Sequence, residues 1–124
     1  MRVSSTTQAP PDTGADTIAV GVFDGESIAH DVDGVLQGLV DSGKARTALR
    51  KVAGVHAGGR RYVLAGLGRH DEFDAERARI AAAAVAGRAR ELGTRVLCWE
   101  LPHHVGALGF VEGTVLAAYE YRPY

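Results

Sequence analysis

The chain is poor in the features that usually announce a chemistry. It has one cysteine, Cys98, among 124 residues. That excludes a disulfide framework and a cysteine-built zinc site, and it makes the cytoplasm the expected compartment. The formal net charge is only -1, whereas a nucleic-acid surface normally carries a strong basic bias. The same balance gives no electrostatic reason for membrane binding. No apolar run approaches the ~20 residues of a membrane-spanning helix. The longest small-apolar run, Ala81 to Ala86, is short and flanked by arginines. The start of the chain lacks a basic stretch followed by an apolar one, so a secretory signal is not expected. Neither nucleic acid nor membrane is therefore an expected partner.

What is present is ordinary for a folded domain: 46% hydrophobic and 23% charged residues. The length implies a single domain with one real core. Arg2–Thr7 reads as a first strand and Gln8–Gly14 as a proline-marked loop. Thr17–Phe23 is apolar on both faces, which predicts a strand buried on both sides. Asp24-Gly25 follows as a turn. Ile28, Val32, Val35, Leu36 and Leu39 recur at helical spacing and predict a helix over Ser27–Leu39, with Ser27 as N-cap and Gly43 as stop.

Thr47–Val55 reads as a strand, Ala57-Gly58-Gly59 as a turn and Arg61–Leu67 as another strand. Asp74 is well placed to cap a second helix, with Glu76 in its first turn. Ala78, Ala82, Val85, Ala89 and Leu92 form the stripe of that helix. Arg88 and Arg90 sit near its end, and Gly93 closes it. Arg95–Leu101 is a strand stopped by Pro102. A last helix runs from His104 or Val105 to Tyr121, with Gly109 and Gly113 one turn apart. Strands alternating with helices predict an α/β fold whose sheet is mixed, parallel in its centre and flanked by helices.

Each candidate for chemistry meets a structural explanation. Gly66-Leu67-Gly68-Arg69-His70-Asp71 stands where a phosphate-cradling loop would sit, but Asp71 replaces the third glycine. Asp71, Glu72 and Asp74 would repel a phosphate. His70 with those carboxylates, His30 with Asp31 and Asp33, and the pair His103-His104 lack the spacing of a metal centre. Cys98 lies between Leu97 and Trp99 in a strand, which predicts a buried thiol. No elbow of the GxSxG kind surrounds Ser4, Ser5, Ser27 or Ser42. No catalytic, cofactor-binding or metal-ligating residue is therefore assigned.

Several segments together resemble one family. Glu112-Gly113, Leu116, Tyr119, Tyr121 and Tyr124 resemble the helix that closes the N-terminal domain of leucyl (cytosol) aminopeptidases. Ala15-Asp16 followed by Val20-Gly21-Val22-Phe23 resembles that family's A-D-x-x-x-V-G-V-F strand. Arg61 to Arg69 resembles its R-V-L-L-V-G-L-G-K strand and turn. Arg122-Pro123 departs from the usual tail. The resemblance implies a macro-domain-like α/β domain spanning 1–124, itself non-catalytic. It also implies that the chemistry, a two-metal hydrolysis of N-terminal residues from peptides, resides in a C-terminal catalytic domain. The signatures N-T-D-A-E-G-R and G-K-G-I-T-F-D-S-G-G of that domain are absent from this chain. Two divalent ions, zinc or manganese, would belong there, and none to this chain. The expected partners are that catalytic domain and further copies, a hexamer in the family. The alternative is a free-standing macro-type module binding ADP-ribose or a related nucleotide.

Overall fold

The computed structural model describes residues 2–6, 15–28 and 34–100. Their strands form one five-stranded sheet. In chain order they are β1 (Arg2–Thr6), β2 (Thr17–Phe23), β3 (Val52–Ala57), β4 (Arg60–Gly68) and β5 (Val96–Glu100). The spatial order is β1-β5-β2-β4-β3. The first four of these run parallel, and only β3 is antiparallel to its neighbour β4. Helix α1 (Val35–Asp41) follows β2, and α2 (Ala75–Glu91) links β4 to β5. The mixed, centrally parallel sheet matches the expected fold class. The last expected helix and the tyrosine tail lie outside the described residues.

The core has two layers because alternate strand residues face opposite sides of the sheet. Ala19, Phe23, Val63, Ala65, Leu67, Leu97 and Trp99 pack with Phe73 against α2. Ile18, Val20, Val22 and Leu64 pack with Leu36 and Ala45 on the other side. This explains the unbroken apolar character of Thr17–Phe23. Large side chains come from the sheet, and the helix answers with Ala78, Ala81, Ala82, Val85, Ala86 and Ala89, all buried. Small residues on α2 let its backbone sit close to the strands.

Helix α2 forms as its sequence predicts. The Asp74 carboxylate accepts from the Arg77 amide at 2.8 Å, satisfying an otherwise unbonded first-turn donor. At the other end Gly93 adopts φ 74. Its amide donates to Arg90 O, and the Thr94 amide donates to Ala89 O. These two bonds are a Schellman closure.

Several boundaries differ from expectation, most of them by one or two residues. Ser27 does not cap a helix: residues 26–28 are irregular, and α1 starts after Gly34 at φ 77. The Ile28 amide donates instead to the Gln37 side chain at 2.8 Å. Ile28 still packs on the core, whereas Val35 is an exposed large apolar side chain. The third strand starts at Val52 rather than Thr47, because residues 47–51 cross over the end of β4 and turn at Arg50, φ 75. Ala57 belongs to the strand, and Gly58-Gly59 alone make the turn. Their φ values of 57 and 75 fit the primed hairpin turn that matches strand twist.

Candidate functional site

In parallel α/β sheets, functional groups gather beyond the carboxyl ends of the strands. Here that rim is built by the ends of β2 and β4. The pairing of these strands skips a residue, from Val22 opposite Gly66 to Phe23 opposite Gly68. Gly68 takes φ 74, and its carbonyl accepts from the Asp24 amide at 2.9 Å. Phe23 is buried at this irregularity. Its ring stacks on His70 at 4.4 Å and meets Phe73 edge-on at 5.1 Å. His70 Nδ1 lies 2.6 Å from Glu26 Oε2. The contact joins the turn after β2 to the short 3-10 turn His70–Glu72. Both side chains are nearly half exposed, so the pair contributes about 0–1 kcal/mol.

An imidazole held by a carboxylate can accept and pass on a proton. The neighbouring acids are otherwise engaged. Asp71 accepts from Arg69 Nε at 3.2 Å and Nη2 at 2.9 Å, and Glu72 lies 3.6 Å from the same guanidinium. The hydrogen bond and charge of Asp71, then the charge of Glu72, hold the Arg69 pKa above its ordinary value. Asp74 caps α2 and pairs with Arg77 at 3.1 Å. Among the described residues no three of His, Cys, Asp and Glu come together in a way that fits a metal ion. Cys98 is buried in β5. His30, Asp31, Asp33, His103 and His104 lie outside the described residues, as do Tyr119, Tyr121 and Tyr124.

The first glycine of the pair that ends β4 serves packing. A side chain at Gly66 would run into the backbone of the crossing segment: Thr47 C at 2.6 Å, Arg46 O at 2.8 Å and, closer still, Ala48 O. The same crossing is fixed by Gly66 N donating to Lys51 O at 2.7 Å and Gly68 N to Thr47 O at 2.8 Å. Gly21 answers a similar demand, since a Cβ there would lie 2.6 Å from Leu67 Cδ1. Gly66 is thus explained by close approach of backbone to backbone, Gly21 by the Leu67 side chain packed on it, and Gly68 by its positive φ.

At the opposite end of β2, Asp16 holds the start of β5. Its amide donates to Val96 O at 3.2 Å, and its carboxylate accepts from the amides of Arg95 at 3.0 Å and Val96 at 3.4 Å. The buried Thr17 hydroxyl donates to Asp16 at 3.0 Å and meets the Thr94 hydroxyl at 2.9 Å. Arg61 Nη1 donates to Leu92 O at 2.7 Å, covering a carbonyl at the end of α2. Sequence reading marked Asp16 and Arg61 as motif members and missed these partners, which lie 79 and 31 residues away.

Comparison with known proteins adds three findings. The model of the cytosol aminopeptidase family, N-terminal domain, matches residues 15–124. A probable cytosol aminopeptidase from Roseiflexus castenholzii (strain DSM 13941 / HLO8) is 31% identical over 131 residues, covering 100% of this chain and 27% of its own. A mutant leucine aminopeptidase from tomato superposes with a TM-score of 0.69 at 14% identity. That match covers 95% of this chain and 28% of the tomato chain, and it speaks to fold alone. The chain spans little more than a quarter of the length of either relative.

Proposed function

The chain belongs to the cytosol aminopeptidase family as its N-terminal domain, and on that premise we propose that it is the non-catalytic front part of a metallo-aminopeptidase. The reaction is the release of N-terminal amino acids from peptides. It takes place in a larger catalytic domain that follows this one, with two divalent ions, zinc or manganese, that activate water and polarise the scissile carbonyl. Residues 1–124 contribute no ligand and no catalytic group. Their part is to support assembly into a homo-oligomer, a hexamer, and to shape access to the active site in the cytoplasm.

The observation that carries this reading is the coverage of the match. The family model takes in almost the whole chain, yet the chain accounts for only 27% of the Roseiflexus relative. The packing roles of Gly21, Gly66, Asp16 and Arg61 support it, because the motif residues hold the fold together. Among the described residues no helix is long and apolar enough to cross a membrane. The free-standing nucleotide-binding module finds no support in these matches.

A domain exchange tests the proposal. Residues 1–124 replace the matching segment of the Roseiflexus relative, and the chimera is compared with a version lacking that segment. The chimera is expected to form a hexamer by light scattering and to hydrolyse leucine 4-nitroanilide. The truncated form is expected to assemble poorly. Equal assembly and equal KM in both would contradict an assembly and access role.

A further inference from the structure

Charge is distributed very unevenly. Between Asp41 and Asp71 the chain has no acidic residue, yet this stretch holds half of its 14 lysines and arginines. Those seven are Lys44, Arg46, Arg50, Lys51, Arg60, Arg61 and Arg69. Folding gathers the stretch at one border of the sheet, since it comprises the crossing segment, β3 and β4. Lys44, Arg46, Arg50 and Lys51 are exposed. None of these four has an ion-pair partner among the described residues, unlike Arg69, Arg77, Arg79 and Arg88.

Among the described residues the same border is an open strand edge. Among the described residues β3 is the last strand of the sheet and is hydrogen-bonded only to β4. Ala57 and Arg60 flank a two-residue turn, and Gly66 N donates to Lys51 O. Both facts point the backbone groups of residues 51, 53, 55 and 57 toward β4. In an antiparallel ladder the alternate residues then point outward. The outward donors and acceptors are those of Val52, Gly54 and His56. Proteins usually blunt such an edge with lysine, proline or a bulge within the strand. β3, VAGVHA, has none of these.

We propose that β3 is a docking edge for an extended acidic polypeptide segment, which adds to the sheet as a sixth strand. Its backbone would bond to Val52, Gly54 and His56, and its carboxylates would meet the exposed cations that precede β3, Lys44, Arg46, Arg50 and Lys51. Strand addition takes affinity from backbone bonds and selectivity from side chains. A second copy of β3 is a poor occupant. Antiparallel pairing would bring Arg50 and Lys51 of each copy toward Arg60 of the other, like charge against like charge. A nucleic acid would use the cations but leave the strand edge unbonded.

The test is fluorescence anisotropy of a labelled peptide of alternating valine and glutamate, titrated with the 124-residue chain. Saturable binding is expected, weakened at least about tenfold when NaCl rises from ~0.05 to ~0.3 M, because the flanking charges are exposed. His56→Pro removes one outward amide and should weaken binding by about tenfold or more, as should Lys44→Glu with Lys51→Glu. Circular dichroism checks that each variant folds. The same peptide N-methylated at alternate residues tests strand pairing without altering the protein, and it should not bind. Four results would overturn the proposal: no saturable binding, full binding by the N-methylated peptide, equal binding of a valine–lysine peptide, or displacement by an oligothymidylate at equal or lower concentration. A dimer dissolved by His56→Pro would reassign the edge to self-association.

Discussion

Replacing Gly66 by alanine strikes the most crowded point of the fold. The added methyl would overlap the backbone of Arg46, Thr47 and Ala48, and backbone cannot swing aside as a side-chain tip does. Overpacking of a core typically costs about 1–3 kcal/mol. The crossing segment is also bonded to the strand end by Gly66 N to Lys51 O and Gly68 N to Thr47 O. If the segment lifts, each lost bond adds about 1 kcal/mol. The expected cost of Gly66→Ala is therefore about 3–5 kcal/mol, a large part of the ~5–15 kcal/mol that holds a domain folded. Urea unfolding followed by circular dichroism measures it. With a slope of roughly 1–3 kcal/mol/M, the midpoint should fall by about 1–5 M. A variant within about 0.5 kcal/mol of the parent, the usual range of innocuous surface changes, would refute the packing role assigned to this glycine.

Other substitutions follow from the same reasoning. Gly87 lies inside α2 with open space around its Cα, so Gly87→Ala should raise stability by about 0.5–1 kcal/mol in the same urea experiment. Asp16→Ala removes the acceptor for the Arg95 and Val96 amides and for Thr17. It should cost about 1–3 kcal/mol and speed amide hydrogen exchange at the start of β5. Glu26→Gln breaks only the half-exposed contact with His70, so its thermal midpoint should stay within the equivalent of about 1 kcal/mol of the parent.

The parts of the fold legible in sequence are those fixed by local signals. Asp74, the alanine stripe and Gly93 specify α2 from start to stop, and all of them act within a turn or two of their own positions. Thr17–Phe23 was legible as a doubly buried strand because both of its faces are apolar. The start of α1 was not, because the periodic apolar pattern runs through Gly34, whose positive φ begins the helix afresh. Ile28 keeps the helical spacing while its amide binds the Gln37 side chain. The start of β3 was hidden for a related reason: Thr47–Lys51 look like strand residues, but they cross β4 where Gly66 leaves room.

The candidate site shows the same division. Sequence placed His70 near acidic residues, and the structure gives those acids to Arg69 and Arg77. An acid that His70 does meet is Glu26, 44 residues earlier. Nothing local signals that contact. It arises because β2 and β4 are neighbours in the sheet and end on the same rim.

The most direct test of the account is a peptidase assay on residues 1–124 alone, with leucine 4-nitroanilide and added manganese or zinc, beside the full-length Roseiflexus relative. The account predicts release of 4-nitroaniline by the relative and none above buffer by the 124-residue chain. Turnover by the chain alone that chelator abolishes and metal restores would contradict it.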